Sequence, residues 1–332
     1  MRRRKELAVL FAFVLIFVAA CGAQGEAGPA GPAGPQGEQG PAGPMASVED
    51  FGCTDCHNET GGLTGITLQW EQSVHGSAEF AYSFAGGRAS CAGCHSGNAF
   101  SEMIAAGLNP SEVESADTHP TKQDCRTCHQ IHTTYTGADY ALETVDPVAL
   151  YAAEDSTYDG GSGNLCVNCH QPRRLLGEGV DGMIEITSIH WGPHHGPQSA
   201  FLMGFGGAGL TGNPSKHYEQ VEDSCVGCHL GSDANHTFQP VLASCTECHD
   251  GIESFDLNGL QTEVQAKLDE LGGYLEAAGL FVDDHPVVGT WPEDQAMALW
   301  NYIAIAFEDE SLGIHNPSYI NDLLDMSLAV FQ

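Results

Sequence analysis

The chain has 332 residues, 44 acidic against 11 basic side chains, and a formal net charge of −33 at pH 7. A surface this acidic repels phosphate backbones, which excludes DNA and RNA as partners. Only 42% of the residues are hydrophobic while 41 are glycine, so something besides side chains has to fill the interior.

From the N-terminus, Arg2, Arg3, Arg4 and Lys5 form a basic stretch ahead of the apolar run Leu7 to Ala20. That run is too short for a membrane span, which needs ~20 apolar residues, and reads as an export signal over residues 1–20. It ends Val18-Ala19-Ala20-Cys21, which resembles a bacterial lipobox; the resemblance implies lipidation of Cys21 and a chain outside the cytoplasm. Glycine then recurs at every third position from Gly22 to Gly43, the collagen-like repeat. Residues 21–45 therefore read as a lipid foot and a stalk, in which residues 22–44 span ~70 Å at ~3.1 Å per residue. Such a stalk is compatible with one extended chain or with a homotrimer wound through it.

Twelve of the 13 cysteines fall into six copies of one pattern: Cys53/Cys56-His57, Cys91/Cys94-His95, Cys125/Cys128-His129, Cys166/Cys169-His170, Cys225/Cys228-His229 and Cys245/Cys248-His249. C-x2-C-H is the attachment sequence of c-type haem. Two thiols add to the two porphyrin vinyl groups, and the histidine behind the second thiol is placed to ligate iron. A disulfide framework does not require a histidine after every second cysteine, and a zinc site pairs C-x2-C units without needing the trailing histidines. The remaining cysteine is Cys21. Six haems within residues 46–255 leave little protein between them, predicting a mainly α fold with much irregular loop and a core of stacked haems. The glycine-rich stretches at 86–88, 160–163 and 204–212 read as loops.

Ten further histidines are available as second axial ligands, and six would suffice. His217 and His236 lie just before the fifth and sixth motifs, His75 lies between the first two, and His132 follows His129 by three, a spacing that suits a neighbouring haem. His119 and the His190/His194/His195 cluster complete the distal candidates. That cluster, in Ile189-His190-Trp191-Gly-Pro-His194-His195, is also the best candidate for a reactive pocket, with His194 and His195 the residues named for it.

Residues 256–332 change character. Leu260, Val264, Leu268, Leu271 and Leu275 follow helical spacing, Thr290 to Glu293 reads as a capping box, and Met297, Trp300, Ile303, Ala304 and Phe307 form one stripe. A last helix from about Pro317 carries Ile320, Leu323, Leu324, Leu328 and Phe331. These amphipathic helices are expected to close over the final haems.

A tryptophan-bearing helix, then Gly313-Ile314-His315-Asn316-Pro317, then a Leu-Leu helix resembles the C-terminal part of ammonia-forming cytochrome c nitrite reductase and its hydroxylamine-oxidising relatives. The order His217, fifth motif, His236, sixth motif extends the resemblance upstream, over roughly residues 70 to 332. It implies that His315 is distal to the haem of His229, His217 to that of His249, His236 to that of His129 and His75 to that of His170. The haems of His57 and His95 are left to His132, His119 or the 190–195 cluster, and His285 is the least expected ligand. One departure matters. That family marks its catalytic haem with lysine in the motif, whereas this chain has Cys91-Ala-Gly-Cys94-His95.

Electron transfer by a membrane-anchored, extracytoplasmic hexahaem cytochrome is the first expectation, because an iron with two histidines has no vacant site. Redox partner proteins or an extracellular electron acceptor are then its partners, and the outer membrane or cell surface its location. A nitrite- or hydroxylamine-type oxidoreductase with an open haem near His95 is the alternative, and a haem-containing surface filament a second one.

Overall fold

The computed structural model describes His57 and residues 62–332 except His195. The signal sequence, Cys21, the Gly-x-y segment, Cys53 and Cys56 lie outside the described residues. The described residues belong to one compact unit that begins at Pro44. Helices and irregular chain dominate them. Sheet is confined, among the described residues, to two-stranded antiparallel pairings: Val148–Ala149 with Thr157–Tyr158, Met183–Ile186 with Gly289–Pro292, and Phe281–Val282 with His285–Pro286. No described helix is long and apolar enough to cross a membrane.

Up to residue 250 the helices are short. Gly62–Gln72 and Gly97–Ala106 are the longer ones; the rest are one or two turns, several of them built on a motif. The turn Cys125–Cys128 shows why so short a helix forms: the Asp124 carboxylate accepts the Arg126 N–H at 2.9 Å, and the Thr127 hydroxyl accepts the Asp124 N–H at 3.1 Å. A reciprocal cap of this kind satisfies amide donors that a single turn would otherwise leave open. Apolar packing here comes in small clusters, one of Phe100, Met103 and Leu165 and another of Val148, Leu150, Tyr158, Val167 and Leu202.

The C-terminal helices Leu260–Ala277, Glu293–Ile303 and Pro317–Ala329 are longer and share one core with residues 184–208. Val264, Leu268, Leu271 and Leu275 are buried along the first, as their spacing predicts, and Tyr319, Ile320, Leu323, Leu324 and Leu328 along the last. The glycine-rich 204–212 segment is a loop held by polar side chains of these helices. Trp300 Nε1 donates to the Gly206 carbonyl at 3.0 Å, the Asn301 side chain bonds both the N–H and the carbonyl of Ala208, and the Tyr319 hydroxyl accepts from the Gly207 N–H. A Cβ on Gly207 would stand 2.4 Å from Leu323 Cδ1, so only glycine lets this loop lie against the last helix.

Three local expectations are corrected. Thr290 is not a helix cap; it lies in a strand opposite Glu185, and the helix begins after Pro292, which lacks the N–H to continue the ladder. Glu293 does not bond back to Thr290 but accepts the Gly179 N–H at 2.9 Å. The stripe ending at Phe307 breaks because Ala304–Asp309 forms a wider π-helical turn, which leaves Phe307 40% exposed while Ile305 is buried. Gly161–Gly163, expected as plain loop, winds into one 3-10 turn.

Candidate haem-binding site

In an α-helical turn, residues i, i+3 and i+4 share a face, and the motifs use this. The histidine N–H bonds the carbonyl of the first cysteine at 2.9 Å in Cys125/His129, Cys166/His170 and Cys245/His249, while Cys91–His95 and Cys225–His229 lie inside helices. Two thiols and an imidazole are thereby presented together.

The thiols are not equally enclosed. Cys91, Cys94, Cys128, Cys166, Cys169, Cys225, Cys228 and Cys245 are half-buried, whereas Cys248 and Cys125 are exposed. Beside Cys248, Thr246, Glu247 and Asp250 are exposed as well, and the sixth motif packs against none of the apolar clusters. At Cys125 the thiol opens a turn whose next residue, Arg126, also faces solvent. Exposure leaves the spacing of each motif intact, since the His249 N–H still reaches the Cys245 carbonyl and the His129 N–H the Cys125 carbonyl.

Opposite every motif histidine stands a second histidine. The ring centres are 6.0 Å apart in His57/His132, 6.2 Å in His75/His170, and 6.3 Å in His95/His194, His129/His236, His217/His249 and His229/His315. With metal–nitrogen bonds of ~2.0 Å and ring centres ~1.1 Å beyond nitrogen, two imidazoles on opposite sides of one metal stand ~6.2 Å apart. The gap has the width of an iron with two axial nitrogens.

These are the four pairings implied by the resemblance, and the two left open fall to His132 and His194. His190 faces no motif histidine; its ring lies 6.2 Å from that of His285. His119 is exposed, with Nδ1 3.0 Å from the Thr118 hydroxyl. His195 lies outside the described residues. Four of the pairs line one cavity of about 1190 Å³, with Trp70, Phe100, Tyr151 and Phe238 in its walls. Helical thiol pairs and facing imidazoles fit c-type haem at the five motifs described whole, with the largely apolar cavity adding to the fit at the second, third and fourth, and the His57/His132 pair fits it at the first.

The second nitrogen of the rings is fixed as well. Nδ1–H donates to a backbone carbonyl in His129 (Tyr140, 2.7 Å), His217 (Ile314, 2.6 Å), His229 (Phe238, 2.8 Å) and His236 (Ala234, 2.6 Å). A carbonyl only accepts, so Nδ1 carries the proton and Nε2 keeps its lone pair for a metal. Burial holds His75, His229 and His236 below the ordinary imidazole range, and burial with His75 alongside moves His170 down to about 4. All four are neutral at pH 7, as ligation requires.

His315 differs. Burial would lower its pKa, but the Asp309 carboxylate, 2.6 Å from Nδ1, outweighs burial and raises it. Asp309 is itself buried, anchored by the Ser311 hydroxyl, and the π-helical turn delivers it. The sequence reading missed Asp309; its signal was the acidic run 308–310, which sets Asp309 six residues before His315.

Neighbouring motifs touch. The Cys169 thiol lies 4.0 Å from the Cys94 carbonyl oxygen, and Val167 and Cys225 share one apolar cluster. Burial pushes the Cys128 thiol up to about 12, with Cys125 beside it adding to the shift. The Phe238 ring lies 4.9 Å from that of His75 and 5.9 Å from that of His236, and its carbonyl takes the His229 proton. One short loop therefore braces the third, fourth and fifth motifs. Two distal histidines, His132 and His194, adopt left-handed backbone with φ of 69° and 72°, a strain of ~1–3 kcal/mol that persists where surrounding contacts impose it. At His132 the imposing group is Asp139, whose carboxylate accepts the N–H groups of His132, Thr134 and Tyr135.

The fold resembles that of a multihaem cytochrome, and the chain is similar in sequence to proteins of the same class. One solved structural neighbour is the outer cell wall cytochrome OcwA, with a TM-score of 0.51 and 20% identity over 80% of this chain and 50% of that one. In sequence it is 23% identical over 352 residues to the C-type polyheme cytochrome OmcB of Geobacter sulfurreducens in each of two strains, covering 79% of this chain and 46% of the relative. The chain thus spans about half the length of the relatives it matches. No protein-family model matches it.

Proposed function

We propose that the chain is a hexahaem c-type cytochrome that carries electrons, anchored by lipid at Cys21 and held off its membrane by the Gly-x-y stalk. The observation that carries this reading is the facing histidine at all six motif histidines, at 6.0–6.3 Å. When bound, the haems supply reversible one-electron chemistry. The protein's own part is to attach them through twelve thiols, to hold Nε2 lone pairs on both sides of each metal position, and to exclude water by burial.

Contacts between motifs support a branched conduit with the fourth motif at its centre. Cys169 reaches the Cys94 carbonyl of the second motif, Val167 packs in one cluster with Cys225 of the fifth, and Phe238 joins the fourth to the third. His129 and His132 tie the third motif to the first, and the His217 bond to Ile314, next to His315, ties the sixth to the fifth. The exposed neighbours Thr246, Glu247 and Asp250 suit the sixth motif to an end of this conduit, where electrons pass to or from a partner. The nitrite- or hydroxylamine-type alternative needs an open face at His95, and His194 stands on that face.

Its partners would be redox proteins or an extracellular acceptor, at the outer membrane or cell surface, which suits a relative described as an outer cell wall cytochrome. Redox titration tests the proposal. Six electrons per chain should enter and leave reversibly, and the reduced protein should not turn over nitrite or hydroxylamine. Steady turnover of either substrate would overturn the carrier reading.

A further inference from the structure

We infer that His190 and His285 hold a seventh metal centre through two imidazole nitrogens on opposite sides of the metal. Neither residue belongs to a C-x2-C-H motif, yet their ring centres are 6.2 Å apart, within the 6.0–6.3 Å range of the six haem pairs. The number discriminates between geometries. Two imidazoles at a tetrahedral angle, as on structural zinc, would bring the centres to ~5.1 Å, whereas opposite placement gives ~6.2 Å.

The second observation is the ring's own anchoring. His285 Nδ1–H donates to the Asp283 carbonyl at 2.6 Å, the arrangement seen at His129, His217, His229 and His236, so Nε2 is the nitrogen left to ligate. Both ligands sit on fixed backbone. His285 opens the return strand of the Phe281–Val282/His285–Pro286 hairpin, whose two-residue turn has Asp283 and Asp284 at φ of 51° and 60°, the left-handed pair such a tight turn requires. His190 is held by its N–H on the Ser188 hydroxyl at 3.1 Å and by the Arg174 guanidinium, which bonds the carbonyls of His190 and Gly192 at 3.0 and 2.7 Å.

Two sources share this chemistry: a haem seated without thioether bonds, or a bare divalent ion of tetragonal preference, for which Cu²⁺ ranks highest among first-row metals. Exposed Ile189, Val282 and Val288 flank the two ligands in sequence and suit the first, and the acidic turn at 283–284 suits the second.

The test uses the full-length holoprotein. Acid–acetone extraction leaves thioether-bound haem on the chain, so one extractable haem per chain identifies the first source. If the extract is empty, dialysis against Cu²⁺ followed by a chelating resin should leave one copper per chain. Whichever is found must be lost in H190A and in H285A while six covalent haems remain by denaturing mass. H285Q, of similar length and polarity, should give the same loss without disturbing the hairpin. An empty extract with no copper retained would overturn the inference, as would metal that persists in all three variants.

Discussion

The two ends of the described chain solve the same problem with different material. From His57 to about residue 250 the helices are mostly single turns, the apolar clusters are small, and the histidine pairs surround a cavity. From Leu260 onward there is no cysteine, and three amphipathic helices close a continuous core on residues 184–208. Where side chains can bury each other, the chain builds helices of 11 to 18 residues; where motifs crowd, it builds holders. The contrast suits the composition, since a region that wraps porphyrin, as proposed, needs few apolar side chains of its own.

The largest effect should come from withholding haem. A chain expressed without haem attachment should lose protease protection over residues 62–183 and keep it over 260–331, because cofactor binding and folding are linked; equal loss in both regions, read by mass spectrometry of the fragments, would erase the contrast. Next, W300A removes a buried indole and its bond to Gly206. It should cost ~3–5 kcal/mol in denaturant unfolding of the C-terminal core and leave the haem count at six.

A subtler break is D309N. The buried carboxylate makes the His315 imidazole more electron-donating, so its removal should raise the potential of the fifth-motif haem by ~60 mV, a tenfold change for a one-electron couple. Spectroelectrochemistry should see one haem move and five stay. The corresponding pH effect follows from the depressed imidazoles. His75, His170, His229 and His236 bind protons more readily unfolded than folded, so stability should rise with pH between about 4, where His170 lies, and the ordinary imidazole range. Stability flat over that window would show that these imidazoles are not buried. The smallest effect belongs to K267A. Lys267 bridges Glu263 at 3.0 Å and Asp325 at 2.7 Å between the first and last C-terminal helices, an interaction near solvent worth ~0.5–1 kcal/mol in a thermal melt.

Much of this was legible before the fold was known, for reasons that differ by region. C-x2-C-H is a covalent requirement, so its residues announce themselves at any depth in the chain; the same pattern says nothing of depth, which is why exposed Cys248 and half-buried Cys169 read alike. The C-terminal helices were readable because burial on one face imposes a period, and Val264, Leu268, Leu271 and Leu275 keep it. What spacing alone could not supply was pairing across the chain. His194 against His95, and His190 against His285, depend on loops whose left-handed residues and side-chain brackets leave no periodic trace. Thr290 was misplaced because the motif that caps a helix also suits a strand, and strand Met183–Ile186, over a hundred residues earlier, decides between them.

The spin state of the oxidised iron tests the central claim most directly. With a histidine on each side of all six, electron paramagnetic resonance and optical spectra of the full-length holoprotein should be wholly low-spin. A high-spin signal amounting to about one haem in six, abolished by added cyanide or nitrite, would show an open site and contradict the reading of this chain as a carrier.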